Sequence, residues 1–197
     1  MKPMSQKLRM LGTAFFKAFR KMNVENAVQA EIVKMRKKDI KSALAILTEN
    51  KLEAWSYNDF FSEMHRDDSI VLAAIAGTEI IGFCVVRLII PNSYTSTNND
   101  KDNNYAECEV YNIAVKKKFQ DQGIGKKMLN ELVLLAKERH TQSIWLEVRY
   151  SNSKAINFYQ RNNFRKIYER KNFYSNPSED AIVLKRDLIF PSSTNKL

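Results

Sequence analysis

VYNIAVKKKFQDQGIGKKMLNEL, residues 110–132, is the stretch on which the fold turns. It starts as a strand that runs out near Val115 and passes through a basic turn to Gln120-x-x-Gly123-x-Gly125. A helix follows, with apolar residues recurring at Ile124, Met128, Leu132, Leu135 and Ala136. Glycines let a backbone approach an anion closely and turn its amides outward. The helix start adds unpaired N–H groups and the positive end of the dipole, with Lys126 and Lys127 beside it as point charges. The spacing therefore predicts a phosphate cradle. A Walker loop requires GxxxxGK[ST] and a dinucleotide fingerprint requires GxGxxG; the residues from Gly123 complete neither. Taken alone, the stretch also fits an ordinary tight turn between strand and helix.

The next informative stretch is WLEVRYSNSKAINFYQRNNF, residues 145–164. A strand carries Glu147, Ser151-Asn152-Ser153 opens a short helix, and Tyr159 lies two turns in. Alternation puts Trp145, Glu147 and Arg149 on one face. A carboxylate facing a cleft can take a proton from an ammonium, and a phenol can give one to a departing thiolate. Each residue also has a plainer explanation: Glu147 as a surface carboxylate paired with Arg149 or a lysine, Tyr159 as a core residue beside Ile156 and Phe158. Glu107 and Glu109 share a face of the preceding strand, where they attract a cationic substrate or pair with nearby lysines.

Outward from these motifs the chain reads as mixed α/β. Strands are predicted at 31–36, 69–76, 79–90, 106–115, 143–150, 164–170 and 181–188, and helices at 38–50, 56–66, 123–139 and 152–162. Gly77 marks a hairpin, 91–104 is a polar surface loop, and 191–197 is a frayed tail. The fold class is α/β (α+β), one sheet with helices against it. Residues 1–30 form a separate extension. Leu8, Leu11, Phe15, Phe16 and Phe19 sit at helical spacing among Lys2, Lys7, Arg9, Lys17, Arg20 and Lys21. A packed accessory helix, a membrane-surface helix and an organellar transit peptide all fit that pattern.

Composition narrows the class further. No apolar run approaches the roughly 18 residues of a membrane span. Cys84 and Cys108 lie in apolar or alternating segments without CxxC spacing, which predicts buried thiols in a reducing compartment. With two histidines, His65 and His140, no metal site is expected. The net charge of +10 points to an anionic partner, a phosphorylated cofactor among them.

Over about residues 31–188 the sequence resembles the GNAT acetyltransferase superfamily, and within it the RimI-like ribosomal-protein-alanine N-acetyltransferases. NIAV (112–115), QxxGxG (120–125), WLEVRxSN (145–152), AIxFY (155–159) and EDAI (179–182) fall in that family's order and spacing, and AWSYNDF (54–60) is similar to its early helix motif. The resemblance implies a GNAT domain over residues 31–190. Its mixed, mostly antiparallel sheet of six or seven strands would have a parallel central pair splayed to hold acetyl-CoA. It implies that Ile113, Ala114 and Val115 offer backbone groups to the pantetheine and acetyl carbonyl. Gln122, Gly123, Ile124, Gly125 and Lys126 would bind the pyrophosphate, and Asn152 would contact the CoA arm. Glu147 would be the general base and Tyr159 the general acid. The implied acceptor is the N-terminal amine of a protein or peptide, a ribosomal protein among them, in the cytoplasm, with no specific nucleic acid. A small-molecule amine acceptor and a non-catalytic CoA-binding module are the alternatives. Asp121 stands where the family has a basic residue, and Asn163 where it has glycine.

Overall fold

A computed structural model describes residues 28–52, 55–89 and 106–188. Residues 1–27 of the basic extension, the whole polar loop 91–104 and the tail after Leu188 lie outside the described residues. Seven strands are described: β1 (Glu31–Lys34), β2 (Ser69–Ala76), β3 (Glu79–Ile89), β4 (Glu107–Val115), β5 (Ser143–Arg149), β6 (Arg165–Ser175) and β7 (Ser178–Asp187). The helices are α1 (Ile40–Glu49), α2 (Tyr57–Met64), α3 (Ile124–Glu138) and α4 (Ser153–Gln160). The strands form one sheet in the order β1-β2-β3-β4-β5-β7-β6. Only β4 and β5 are parallel among these pairs. This is the mixed, mostly antiparallel sheet expected from the sequence. The closing hairpin β6–β7 runs longer than its alternation suggests, up to a turn at Asn176-Pro177.

Local chemistry sets the helix ends. Ser56 accepts a hydrogen bond from the Asp59 N–H at 3.2 Å and donates its own N–H to the Asp59 carboxylate at 2.6 Å. This reciprocal cap starts α2. Asn152 caps α4 by accepting from the Ala155 N–H at 3.1 Å. Asn163, in the left-handed region at φ 66°, turns the chain from α4 into β6, as the tolerance of asparagine for that conformation predicts.

The two sheet faces carry different loads. On one, α3 buries Ile124, Met128, Leu129, Leu132, Val133 and Ala136 against Cys108 and Val110 of β4 and Leu146 and Val148 of β5. On the other, α1 and α2 bury Ile40, Ile46 and Phe60 against Val71, Phe83, Val85 and Ala114. That second helical layer lies over the β1–β4 half. The side chains that β5 sends to the same face, Trp145, Glu147 and Arg149, are only partly buried.

Candidate active site

The β4–β5 ladder runs from Glu107↔Ser143 to Val110↔Leu146 and stops, although β4 continues to Val115 and β5 to Arg149. The break coincides with a bulge: Val85 pairs with Asn112 and Val86 with Val110, so Tyr111 is the extra residue in β4. A bulge bends the strand that carries it and re-aims its side chains. Before it, Cys108 and Val110 face α3; after it, Ile113 and Val115 do. Beyond Val110 and Leu146 the two strands are no longer paired.

A cleft of about 540 Å³ opens where β4 ends and α3 and α4 begin. Ile113, Ala114, Val115, Gly123, Gly125, Lys126, Asn152 and Tyr159 line it, so eight of the residues named from sequence meet there. Gly123 sits before α3 with φ +81°, and no side chain caps that helix. The first helical N–H to bond back is that of Lys127, to the Gly123 carbonyl at 3.0 Å, so the amides ahead of it are left for an anion. A Cβ at Gly125 would meet the Phe158 ring at 3.3 Å, tight enough to narrow the cradle. Gln122 and Ile124 send their side chains elsewhere: Gln122 donates to the Lys118 carbonyl at 2.9 Å, and Ile124 is buried in the core. Either can serve the cleft only through its backbone.

Several cleft residues were missed from sequence. Asn50, at the end of α1, and Gln120 both donate to the Val115 carbonyl, at 3.2 and 3.1 Å, and Gln120 also donates to Asn50 Oδ1 at 2.9 Å. They tie the end of β4 to the turn and occupy the Val115 carbonyl oxygen. Lys154 pairs with Asp121 at 2.9 Å and also donates to Gln120 Oε1 at 3.1 Å. The acid that replaces the family's base is thus matched by a lysine from α4. Nothing in the local sequence announces these contacts between distant segments.

Tyr159 is buried, and burial, with Cys84 and Tyr174 nearby, raises its phenol well above the ordinary tyrosine value. It therefore keeps its proton at neutral pH. Burial pushes the Cys84 thiol up to about 12 and raises Cys108 as well. Both cysteines are buried and free, as expected, and neither offers a thiolate nucleophile.

Glu147 does not share the cleft with Tyr159. It looks out from the opposite sheet face into a second cavity of about 290 Å³, lined also by Glu107, Glu109, Trp145, Tyr168 and Arg170. Its partner is not Arg149 but Arg170 on β6, whose Nη1 lies 2.5 Å from Glu147 Oε1. Arg149 instead pairs with Glu179 at 3.2 Å, and Glu179 also accepts the Ser151 N–H at 2.6 Å, which fixes the β6–β7 hairpin against the start of α4. Glu147 and Tyr159 thus line two different openings, one on each side of the parted strands. The reason is alternation: α3 covers Leu146 and Val148, so Glu147 must face the other way. Trp145 forms a wall of this second cavity, with its indole N–H on Ser143 Oγ at 3.0 Å and Lys185 Nζ 4.6 Å from its ring centre. Among the described residues no group of three or more His, Cys, Asp and Glu is placed to hold a metal ion, and no helix is long and apolar enough to cross a membrane.

Comparison with known proteins agrees with this geometry. The model of the acetyltransferase (GNAT) family matches residues 38–164. The [ribosomal protein bS18]-alanine N-acetyltransferase of Haemophilus influenzae is 33% identical over 116 residues, which span 57% of this chain and 68% of that enzyme. The crystal structure of the Escherichia coli ribosomal-protein-S18-alanine N-acetyltransferase superposes with a TM-score of 0.67 at 24% identity, covering 86% of this chain and all of that one (100%). Arabidopsis thaliana NAA60, solved in complex with acetyl-CoA, gives a TM-score of 0.68 at 16% identity over 81% of this chain and 99% of its own. With a family match over most of its length and a parted parallel strand pair beside a glycine turn, the chain belongs to the acetyltransferase (GNAT) family and is an N-acetyltransferase.

Proposed function

We propose that the enzyme transfers the acetyl group of acetyl-CoA to the N-terminal amine of a protein or peptide. The observation that carries this is the pair of openings at the β4–β5 gap: an uncapped glycine turn and a protonated tyrosine on one side, an acidic cavity on the other. The names of the relatives support a ribosomal-protein N-terminus as the acceptor.

The cleft suits a thioester carried on a diphosphate. The free amides at Gly123–Lys126 and the Lys126 ammonium would hold the phosphates, and Ile113 and Ala114 would guide the pantetheine along the edge of β4 that β5 leaves unpaired. Bound there, acetyl-CoA supplies an activated acyl carbon to the gap. An α-amine arrives mostly as an ammonium, with a pKa of about 8. The acidic cavity attracts it, and the carboxylate side built around Glu147 removes a proton. Tyr159 gives its proton to the leaving sulfur.

A free-thiol release assay with an alanine-starting peptide and with spermidine, followed by mass spectrometry, tests the assignment. Release with the peptide and acetylation at its α-nitrogen are expected. Release with spermidine alone would move the acceptor to small amines. A protein that retains CoA but releases no thiol with any amine would overturn the enzymatic role.

A further inference from the structure

The turn ahead of α3 carries an acid, Asp121, where the family has a base, and a lysine from another element reaches the same place. Lys154 lies in the first turn of α4, one helical turn before Phe158 and on the same face. Phe158 closes on the glycine turn, since a Cβ at Gly125 would meet its ring at 3.3 Å. Lys154 is thereby carried to the cleft, where its Nζ lies 2.9 Å from Asp121 Oδ2 and 3.1 Å from Gln120 Oε1. Gln120 does not offer its nitrogen instead. That end of the amide donates to Asn50 Oδ1 and to the Val115 carbonyl, so the oxygen end faces the lysine. Among the described residues these two oxygens take two of the three ammonium N–H donors. The third can meet an anion held at the amides of Gly123–Lys126.

We propose that Lys154, presented by Gln120, is the cation that meets the cofactor's diphosphate, and that Asp121 holds the ammonium in place until the phosphate takes over. This rests on the reading of the cleft as an acetyl-CoA site, and it moves the charge that the turn lacks onto α4. The Asp121–Lys154 pair is free to exchange partners, because its side chains are 78% and 64% exposed. Exposed pairs contribute little, so replacing the carboxylate by a phosphate costs little and the released Asp121 returns to water. The Glu63–Arg87 pair behaves in the opposite way: its carboxylate is 6% exposed, and opening it would strand a buried charge. Lys154 keeps an anionic partner throughout, first Asp121 and then the diphosphate, while Gln120 Oε1 fixes where the ammonium sits.

The test is a calorimetric binding titration of the full chain and of Lys154→Met, Lys154→Arg and Lys166→Met, at two salt concentrations. The ligands are acetyl-CoA and its 3′-dephospho form, which keeps the diphosphate and lacks the ribose phosphate. Lys166→Met is the control: it removes the same charge from β6, where Lys166 pairs with Glu169 outside the cleft. Lys154→Met is expected to weaken binding about three- to tenfold, equally for both ligands. Its binding should also depend less on salt. Lys154→Arg should restore most of the affinity, and Lys166→Met should match the unmodified chain. The melting temperature of Lys154→Met should stay put, since an exposed pair is lost. Unchanged affinity in Lys154→Met, or an equal loss in Lys166→Met, would overturn the proposal and leave the acetyl-CoA site standing. So would a loss confined to the ligand with the 3′-phosphate, which would place the lysine on the ribose phosphate. Weaker binding with a lower melting temperature in both Lys154 variants would make the lysine a structural tie and overturn it too. An unmodified chain that binds neither ligand would bring down the cofactor reading itself, and this inference with it.

Discussion

At the scale of single residues, the acid of the reaction is the sharpest assignment to test. Tyr159 lines the cleft at the end of β4, packs edge-on against Phe158 and Phe164, and holds its proton because burial disfavours the phenolate. Tyr159→Phe keeps the ring and its packing and deletes only the hydroxyl. It should lower kcat by about 10²- to 10⁴-fold and leave the melting temperature and acetyl-CoA affinity nearly unchanged; steady-state kinetics beside a thermal melt and a binding titration check this. A variant with normal kcat would leave Tyr159 as a core residue only. Tyr159 and Glu147 were both legible in the sequence because each belongs to a short motif of fixed spacing. The roles of Asn50 and Arg170 were not, since each meets its partner only after distant segments pair: Asn50 reaches the Val115 carbonyl, and Arg170 reaches Glu147 across β7.

At the scale of elements, the turn between β4 and α3 is the proposed phosphate site, and Asp121 is its anomaly. Its φ of 60° places it in the left-handed region, and its carboxylate stands beside the amides that would hold phosphate. An acid there suits the helix dipole and opposes an anionic ligand. Asp121→Arg should therefore destabilise the ligand-free protein by about 0.3–1 kcal/mol. The same change should tighten acetyl-CoA binding by a few-fold, with the gain fading at high salt. Melts and binding titrations at two ionic strengths read the two effects separately; weaker binding would show that the Asp121–Lys154 pair positions the lysine for the ligand. The strand, turn and helix here were legible because glycine spacing and apolar period are local signals. The bulge at Tyr111 was not: a bulge is a mismatch between two strands, and one strand's sequence does not state its partner's register.

At the scale of the whole molecule, charge links stability to pH. Asp59, Asp68, Glu79, Glu169, Glu179, Asp180 and Asp187 all have carboxyls held below their usual range, through hydrogen bonds from Ser56, Arg66, Lys116, Lys166, the Ser151 backbone, Lys171 and Arg165 respectively. A depressed carboxyl stabilises the fold above its unfolded pKa, about 4. That contribution is lost as pH falls through the lower folded value. Protonation also adds to a net charge that is already +10. Melting temperature should hold from pH 7 to about 5 and fall below about 4; a constant value down to pH 3 would show that these surface pairs contribute nothing. Glu109 works with the opposite sign, since its raised carboxyl costs stability as pH rises through it. The order of strands and helices, the glycine turn before α3 and the family were legible in the sequence itself, because they rest on short-range sterics, periodicity and motif spacing. Which side of the sheet each catalytic candidate faces, what partner it keeps and where β4 leaves β5 were decided only by the tertiary structure. Those features depend on register and on which helix covers which face, and both are set between segments far apart in the chain.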